Sequence, residues 1–174
     1  MDSSKELIII TGVSGAGKSS AMAFMEDAGY YCIDNMPPEL MSTFVSLLAN
    51  NSEYYPKVAM VVDIRSGYVF EKIIASIDSV EQYGYTCKIV YLDINDTEAL
   101  KRYKLTRRKH PFADKFNGNI QNALDYEREI LAPLRLKADH IIDTSGIDTH
   151  QLRARLTELL MGDAKEYMNI HCMS

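Results

Sequence analysis

Residues 12–19 carry the strongest chemical signal in the sequence. They read G-V-S-G-A-G-K-S and match the pattern G-x-x-x-x-G-K-[ST] at every fixed position. Glycines let a backbone turn tightly and bring its N–H groups close to an anion. A helix that follows adds the partial positive charge of its N-terminus. The predicted phosphate-binding residues are Gly12, Val13, Ser14, Gly15, Ala16, Gly17, Lys18 and Ser19.

Two residues of this loop have chemical roles of their own. Lys18 is expected to contact the β- and γ-phosphates of a nucleotide and to act in catalysis, and the Ser19 hydroxyl is expected to ligate Mg²⁺. The alternative is a glycine-rich turn with a chance lysine. A phosphate-binding loop lies between a strand and a helix. The apolar run at Leu7–Ile10 and the helical pattern after Lys18 predict those two elements here.

Four aspartates directly follow apolar runs: Asp34, Asp63, Asp93 and Asp143. In an open parallel sheet, ligands bind at the carboxyl ends of the strands, and a Mg²⁺–nucleotide site needs a carboxylate there. We predict that Asp63 holds the metal. Asp34 is the second choice, because it could instead meet a second substrate, whereas Asp93 is expected to end a strand or cap a helix.

The residues after Asp63 restrict the type of nucleotide chemistry. Ile64, Arg65 and Ser66 follow it, so a water-activating glutamate is missing and slow intrinsic hydrolysis is expected. The chain contains no N-K-x-D motif, and no D-x-x-G follows the run at Val58–Val62. Ras-like and translation-factor GTPases are therefore disfavoured.

Positive charge is concentrated in one stretch of an otherwise acidic chain. Six of the 19 lysines and arginines lie between Lys101 and Lys109. Arg107 and Arg108 could form a lid that stabilises charge on a γ-phosphate during phosphoryl transfer. The stretch could also be a solvated helix face, or a patch for the RNA backbone. Only Tyr103 and Phe112 are aromatic neighbours, too few for a base-stacking platform.

Short apolar runs alternate with helical patterns along the chain, which predicts a three-layer α/β domain with a parallel sheet of about five strands. The expected strands are 7–10, 30–33, 58–62, 89–92 and 141–142. The expected helices are 18–28, 38–48, 70–83, 97–108, 120–137 and 149–161. Runs that are apolar on both faces suit strands buried between helix layers.

Composition and length bound the class of protein. The chain has 174 residues and a net charge of −5, which suits one domain, expected at 1–162. No apolar run reaches a membrane span, and the first residues do not resemble a signal peptide. Cys32, Cys87 and Cys172 are widely separated, so a disulfide framework or a zinc site is not expected, and the cytoplasm is the expected compartment. Residues 163–174 are expected to form a tail without a helix, with a strand fragment at 168–173.

Several segments together resemble the RapZ/YvcJ family of nucleotide-binding proteins. These are I-I-I-T-G-V-S-G-A-G-K-S-S, A-G-Y-Y-C-I-D-N-M-P-P, V-V-D-I-R-S, T-R-R-K-H-P, L-A-P-L-R and I-I-D-T-S. The resemblance implies a kinase-like P-loop domain that binds ATP or GTP and hydrolyses it weakly. It also implies that Asp63, Ile64, Arg65 and Ser66 belong to the nucleotide site.

The resemblance further implies a second, C-terminal domain, associated in one branch with small-RNA binding. The tail at 163–174 is expected to be the truncated start of that domain, so RNA or protein partners are expected only through the absent part. We expect Mg²⁺-dependent binding and weak hydrolysis of ATP or GTP in a regulatory role, with homo-oligomers left open. The alternatives are a small-molecule kinase with an unknown acceptor and an RNA-binding adaptor that uses the basic stretch.

Overall fold

The computed structural model describes residues 5–62 and 69–171, apart from the side chains of residue 69 and of residues 163–171. In this described part of the chain, five parallel strands form one sheet in the order β2-β3-β1-β4-β5. They are β1 (Lys5–Gly12), β2 (Tyr31–Met36), β3 (Lys57–Val62), β4 (Tyr85–Asp93) and β5 (His140–Asp143). The predicted parallel sheet of about five strands is confirmed.

Within residues 5–62 and 69–171, six α-helices connect and cover these strands. They are α1 (Lys18–Asp27), α2 (Met41–Asn50), α3 (Val69–Gln82), α4 (Asp96–Thr106), α5 (Ile120–Lys137) and α6 (Thr149–His171). Crossovers between parallel strands are right-handed. The connection from β1 to β2 runs toward the β2 edge of the sheet, whereas the later connections run toward the β5 edge. The helices of the two kinds of connection therefore lie on opposite faces. In agreement, α1 packs against α6, whereas α3 packs against both α2 and α5. The predicted three-layer α/β fold is confirmed.

The core lies along the three central strands. Leu7–Ile10 of β1 and Val58–Val62 of β3 are buried throughout, because helices cover both faces of the sheet. The edge strand β2 is more exposed, with only Met36 buried. A central strand buried in this way gives the segment after Gly12 a rigid support.

Three predicted helices have wrong bounds. The helix expected at 38–48 begins with a 3-10 turn at Pro38–Leu40, and the α-helix runs from Met41 to Asn50. Helix α4 ends at Thr106 instead of residue 108, because Arg107 adopts a left-handed conformation with φ of 51°. Helix α6 continues to His171, so the expected strand fragment at 168–173 is helical through that residue. A single glycine such as Gly162 costs a helix about 1 kcal/mol relative to alanine, which is too little to end it. Within the described residues, none of the helices has the length and apolar character that crossing a bilayer demands.

Candidate functional site: the phosphate loop and its cavity

Gly12 ends β1 where its Cα faces the backbone of Leu92 in β4. Its φ is 133°, and a Cβ placed there would lie 2.0 Å from the carbonyl oxygen of Leu92. The Val13 N–H donates to that same oxygen at 3.1 Å. Only glycine fits this contact. The loop that follows β1 therefore begins in direct contact with the backbone of β4.

Two further glycines turn the loop into α1. Gly15 and Gly17 have positive φ values of 87° and 101°, a region that side chains disfavour. Helix α1 begins at Lys18, and its N-cap residue is Gly17, which has no side chain to cap the helix. Its first-turn N–H groups have no acceptors within the helix, so this end is suited to bind an anion.

The Lys18 side chain lies at the base of the loop. Its ammonium donates to the carbonyl oxygens of Gly12 at 2.7 Å and Val13 at 3.1 Å. Burial lowers the pKa of Lys18, and the negative charges of Glu127 and Asp34 partly oppose that shift. In the part of the chain that the structure describes, these bonds use two of the three ammonium donors, which leaves a donor for a phosphate oxygen.

A cavity of about 730 Å³ opens beside the loop, within the size range of small-ligand pockets. The loop from Ser14 to Ser20 forms one wall, the end of α4 and the residues after it form the second, and the β5–α6 connection forms the third. Loop glycines, a partly buried ammonium and a helix N-terminus with a glycine N-cap at the edge of this space fit a phosphate chain.

Arg102 ties two of these walls together. Its guanidinium donates to the carbonyl oxygens of Gly15 at 2.9 Å, Thr144 at 2.8 Å and Ile147 at 3.3 Å. In the sequence, Arg102 is one member of the basic stretch at Lys101–Lys109, and nothing there indicates a separate role for it. The structure shows that it holds the phosphate loop against the β5–α6 connection.

The remaining basic residues do not act as one group. Arg108 and Lys109 line the cavity, whereas Arg107, at the left-handed end of α4, is not among the lining residues. Lys109 also forms an ion pair with Asp114. Of the two arginines predicted to form a lid, the structure therefore brings Arg108 to the cavity.

Sequence reasoning missed a buried carboxylate beneath the loop. Glu127 accepts hydrogen bonds from the Ser14 N–H at 2.9 Å and the Ser14 hydroxyl at 2.5 Å. The Nε2 atom of His110 lies 3.1 Å from the same carboxylate. Burial alone would raise the pKa of Glu127, but the His110 hydrogen bond, the Lys18 charge and the Ser14 donors hold it below its ordinary value. Glu127 is therefore an anion at neutral pH.

Tyr103 completes the packing around this carboxylate. Its ring lies 5.4 Å from that of His110 and 3.6 Å from the position of a Cβ on Gly15. Burial raises the pKa of the Tyr103 hydroxyl to about 12, so the group remains protonated at neutral pH.

The predicted aspartates differ in their surroundings. Asp34 is exposed and lies within β2, two residues before the strand ends at Met36, so the expectation that it directly follows the strand is wrong. Its charge acts electrostatically on Lys18. Asp93 pairs with Arg128 at 3.0 Å and with Arg135 at 3.2 Å, and it accepts a hydrogen bond from its neighbour's backbone N–H, as expected for a residue that ends a strand.

The predicted metal ligand Asp63 and its neighbours Ile64, Arg65 and Ser66 lie outside the described residues. Ser19, the other predicted metal ligand, lies in the first turn of α1 and lines the cavity. Among the described residues there is no cluster of three or more histidines, cysteines or carboxylates suited to a metal ion.

Comparison with known proteins gives a family and a fold. The model of the RapZ-like N-terminal domain matches residues 5–164. A nucleotide-binding protein of Alkaliphilus oremlandii is 44% identical over 154 residues, which cover 88% of this chain and 52% of that protein. The chain thus spans about half the length of the curated relatives it matches.

Two kinases of known structure share the fold. A gluconokinase from Sinorhizobium meliloti superposes with a TM-score of 0.58 at 18% identity, covering 98% of both chains. The Acinetobacter baumannii shikimate kinase in complex with shikimate gives 0.55 at 16% identity, covering 92% of this chain and 96% of the kinase. These similarities establish a P-loop kinase-like fold.

Proposed function

Because the chain belongs to the family of RapZ-like N-terminal domains, we propose that it binds ATP or GTP together with Mg²⁺ and hydrolyses the nucleotide slowly. The observation that carries the proposal is the partly buried ammonium of Lys18, which donates to the Gly12 and Val13 carbonyl oxygens of a glycine loop at the N-terminus of α1. A desolvated cation with a donor to spare favours a phosphate group over water.

The nucleotide would lie along the three walls of the cavity. Backbone N–H groups of the loop and the Lys18 ammonium would hold the phosphates, and Arg108 would approach the γ-phosphate from the end of α4. The curated relatives are named nucleotide-binding proteins, which supports the same ligand class here.

The residues that would hold Mg²⁺ are Ser19 and Asp63. A bound Mg²⁺ ion would neutralise charge on the phosphate oxygens. The sequence after Asp63 supplies no water-activating glutamate, so the chain's own residues orient the phosphates and stabilise their charge without activating water efficiently. Slow turnover suits a regulatory domain that reports the bound nucleotide to the rest of a longer protein.

The proposal places the protein in the cytoplasm, where unpaired thiols stay reduced. Cys32 and Cys87 are both free. Burial raises the pKa of Cys32 to about 11 and that of Cys87 to about 12, so neither thiol is reactive at neutral pH.

A small-molecule kinase is the second candidate function. Its support is the fold shared with gluconokinase and shikimate kinase, together with Asp34, an exposed carboxylate that acts electrostatically on Lys18. The third hypothesis, an RNA adaptor, has less support. Arg102 of the basic stretch donates hydrogen bonds to backbone carbonyl oxygens of its own chain.

Calorimetric titration of ATP, ADP and GTP, with Mg²⁺ and with a chelator, tests the main proposal when combined with a phosphate-release assay. We expect saturable binding that weakens on chelation, and slow release of phosphate. No binding of any nucleotide would contradict the proposal. An added sugar or hydroxy acid that raises turnover well above the water background would favour the kinase.

A further inference from the structure

Glu127 occupies a position of α5 that its helical pattern reserves for an apolar side chain. Ala123, Leu124, Leu131 and Leu134, on the same face, are all buried in the core. A carboxylate at such a position is destabilising unless hydrogen bonds and nearby charge compensate its burial. Because an apolar residue would pack there at lower cost, the carboxylate points to a role beyond stability.

The first contact of Glu127 is with the phosphate loop. One carboxylate oxygen accepts the Ser14 hydroxyl and the other accepts the Ser14 N–H. These two bonds fix the backbone of the loop immediately before Gly15, where φ turns positive. The loop is thereby held in its shape by a carboxylate that is not among the residues lining the cavity.

The second contact is with His110, and the hydrogen bonds define its tautomer. The Phe112 N–H donates to Nδ1 of His110 at 3.1 Å, so Nδ1 carries no proton. The proton of the neutral ring is therefore on Nε2, which donates to Glu127 at 3.1 Å. The imidazole thus bridges a backbone N–H and the buried carboxylate.

His110 anchors the residues that face the cavity. We define the basic segment as residues 107–111, which overlap the end of the longer basic stretch at Lys101–Lys109. The segment follows α4 and has no regular secondary structure up to His110. Its other members are exposed, whereas His110 is only 2% exposed. Arg108, Lys109 and Pro111 line the cavity on either side of this anchor.

We propose that Glu127 is a positioning residue that holds the phosphate loop through Ser14 and the basic segment through His110. One carboxylate thereby fixes the distance between the loop and Arg108. The inference rests on the proposed function, since the purpose of that alignment is to place Arg108 against a phosphate chain bound at the loop.

The two contacts can be separated by substitution. His110→Phe preserves an aromatic ring beside Tyr103 but removes both ring nitrogens, that is, the donor to Glu127 and the acceptor of the Phe112 N–H. His110→Gln retains a side-chain N–H donor. Glu127→Ala removes both contacts. Glu129→Gln, an exposed change in the same helix, is the matched control.

Two measurements report on the two contacts. Hydrogen–deuterium exchange of the Arg107 and Ala113 amides, which donate to the carbonyl oxygens of Tyr103 and His110, follows the basic segment at its two ends without using the His110 ring. Calorimetric binding of inorganic pyrophosphate follows the loop. His110→Phe should speed exchange of those amides about tenfold or more, as expected for one lost charge-assisted hydrogen bond, with pyrophosphate affinity within about threefold of the unmodified chain. Glu127→Ala should speed exchange and also weaken pyrophosphate binding about tenfold or more.

A purely structural role predicts a different pattern. Exchange would then rise throughout the protein, including β4, and His110→Gln would not restore slow exchange. Either of those results, or unchanged exchange in His110→Phe, would overturn the proposal. If Glu127→Ala does not fold, the comparison of the two His110 variants decides it. Failure of the unmodified chain to bind pyrophosphate would count against the proposed function, while the exchange data would still judge the positioning role.

Discussion

Replacing Gly12 with alanine should destabilise the fold far more than the same change at another glycine of positive φ. The Cβ of Gly12→Ala would lie 2.0 Å from the Leu92 carbonyl oxygen and 2.7 Å from the Leu92 nitrogen. Both are backbone atoms of a buried central strand, so no side chain can move to relieve the overlap. The β1–β4 pairing or the Val13–Leu92 hydrogen bond must break.

The expected size of the effect follows from a comparison with Gly29. Gly29 has φ of 86° and open space around its Cα, so Gly29→Ala introduces only backbone strain of about 1–2 kcal/mol. Gly12→Ala adds the backbone overlap, and we expect a loss of about 4 kcal/mol or more in the free energy of unfolding, the range of severe core disruption.

Thermal unfolding followed by circular dichroism measures this difference. For a chain of this size, each kcal/mol shifts Tm by about 2–4 °C. Gly12→Ala should therefore melt about 10 °C or more below the unmodified chain, with Gly29→Ala between the two. Equal melting temperatures for the two variants would refute the close approach of β1 and β4 at Gly12.

Four other substitutions, one of them a control, address the chemistry of the site. Arg108→Ala should slow phosphate release from ATP about tenfold or more with affinity nearly unchanged, because charge develops on the phosphate oxygens in the transition state; Arg107→Ala, outside the cavity lining, is the control. Equal losses in both variants, or none in either, would contradict the lid assignment. Asp63→Asn should weaken the Mg²⁺ dependence of nucleotide binding, because it preserves shape and removes charge. Asp34→Asn should leave that dependence intact, and the reverse result would mean that the two carboxylates have exchanged roles.

The fold could be predicted because its strands have a local sequence signal. Leu7–Ile10 and Val58–Val62 are continuous apolar runs, and burial on both faces is what such runs require. The loop at Gly12 could also be predicted from the sequence. Its backbone has positive φ values that glycine adopts readily, so the pattern of glycines indicates the loop.

The partners of the loop could not be read in the same way. Glu127 is 113 residues from Ser14 in the chain, and only the packing of α5 beneath the loop brings them together. The single available signal was a carboxylate within the apolar face of α5. Similarly, the left-handed conformation of Arg107 decides which arginine faces the cavity, and the helical pattern that runs past it gave no indication of that turn.

The most direct test of the central claim is the affinity of ATP for Lys18→Ala, measured by calorimetry beside Lys57→Ala. Lys57 begins β3, at the end of the sheet opposite the phosphate loop. Loss of a charge-assisted contact of about 1.5–3 kcal/mol should lower the affinity of Lys18→Ala about tenfold or more, and Lys57→Ala should bind as the unmodified chain does. A folded Lys18→Ala protein that binds ATP with unchanged affinity would contradict the assignment of residues 12–19 as the nucleotide site.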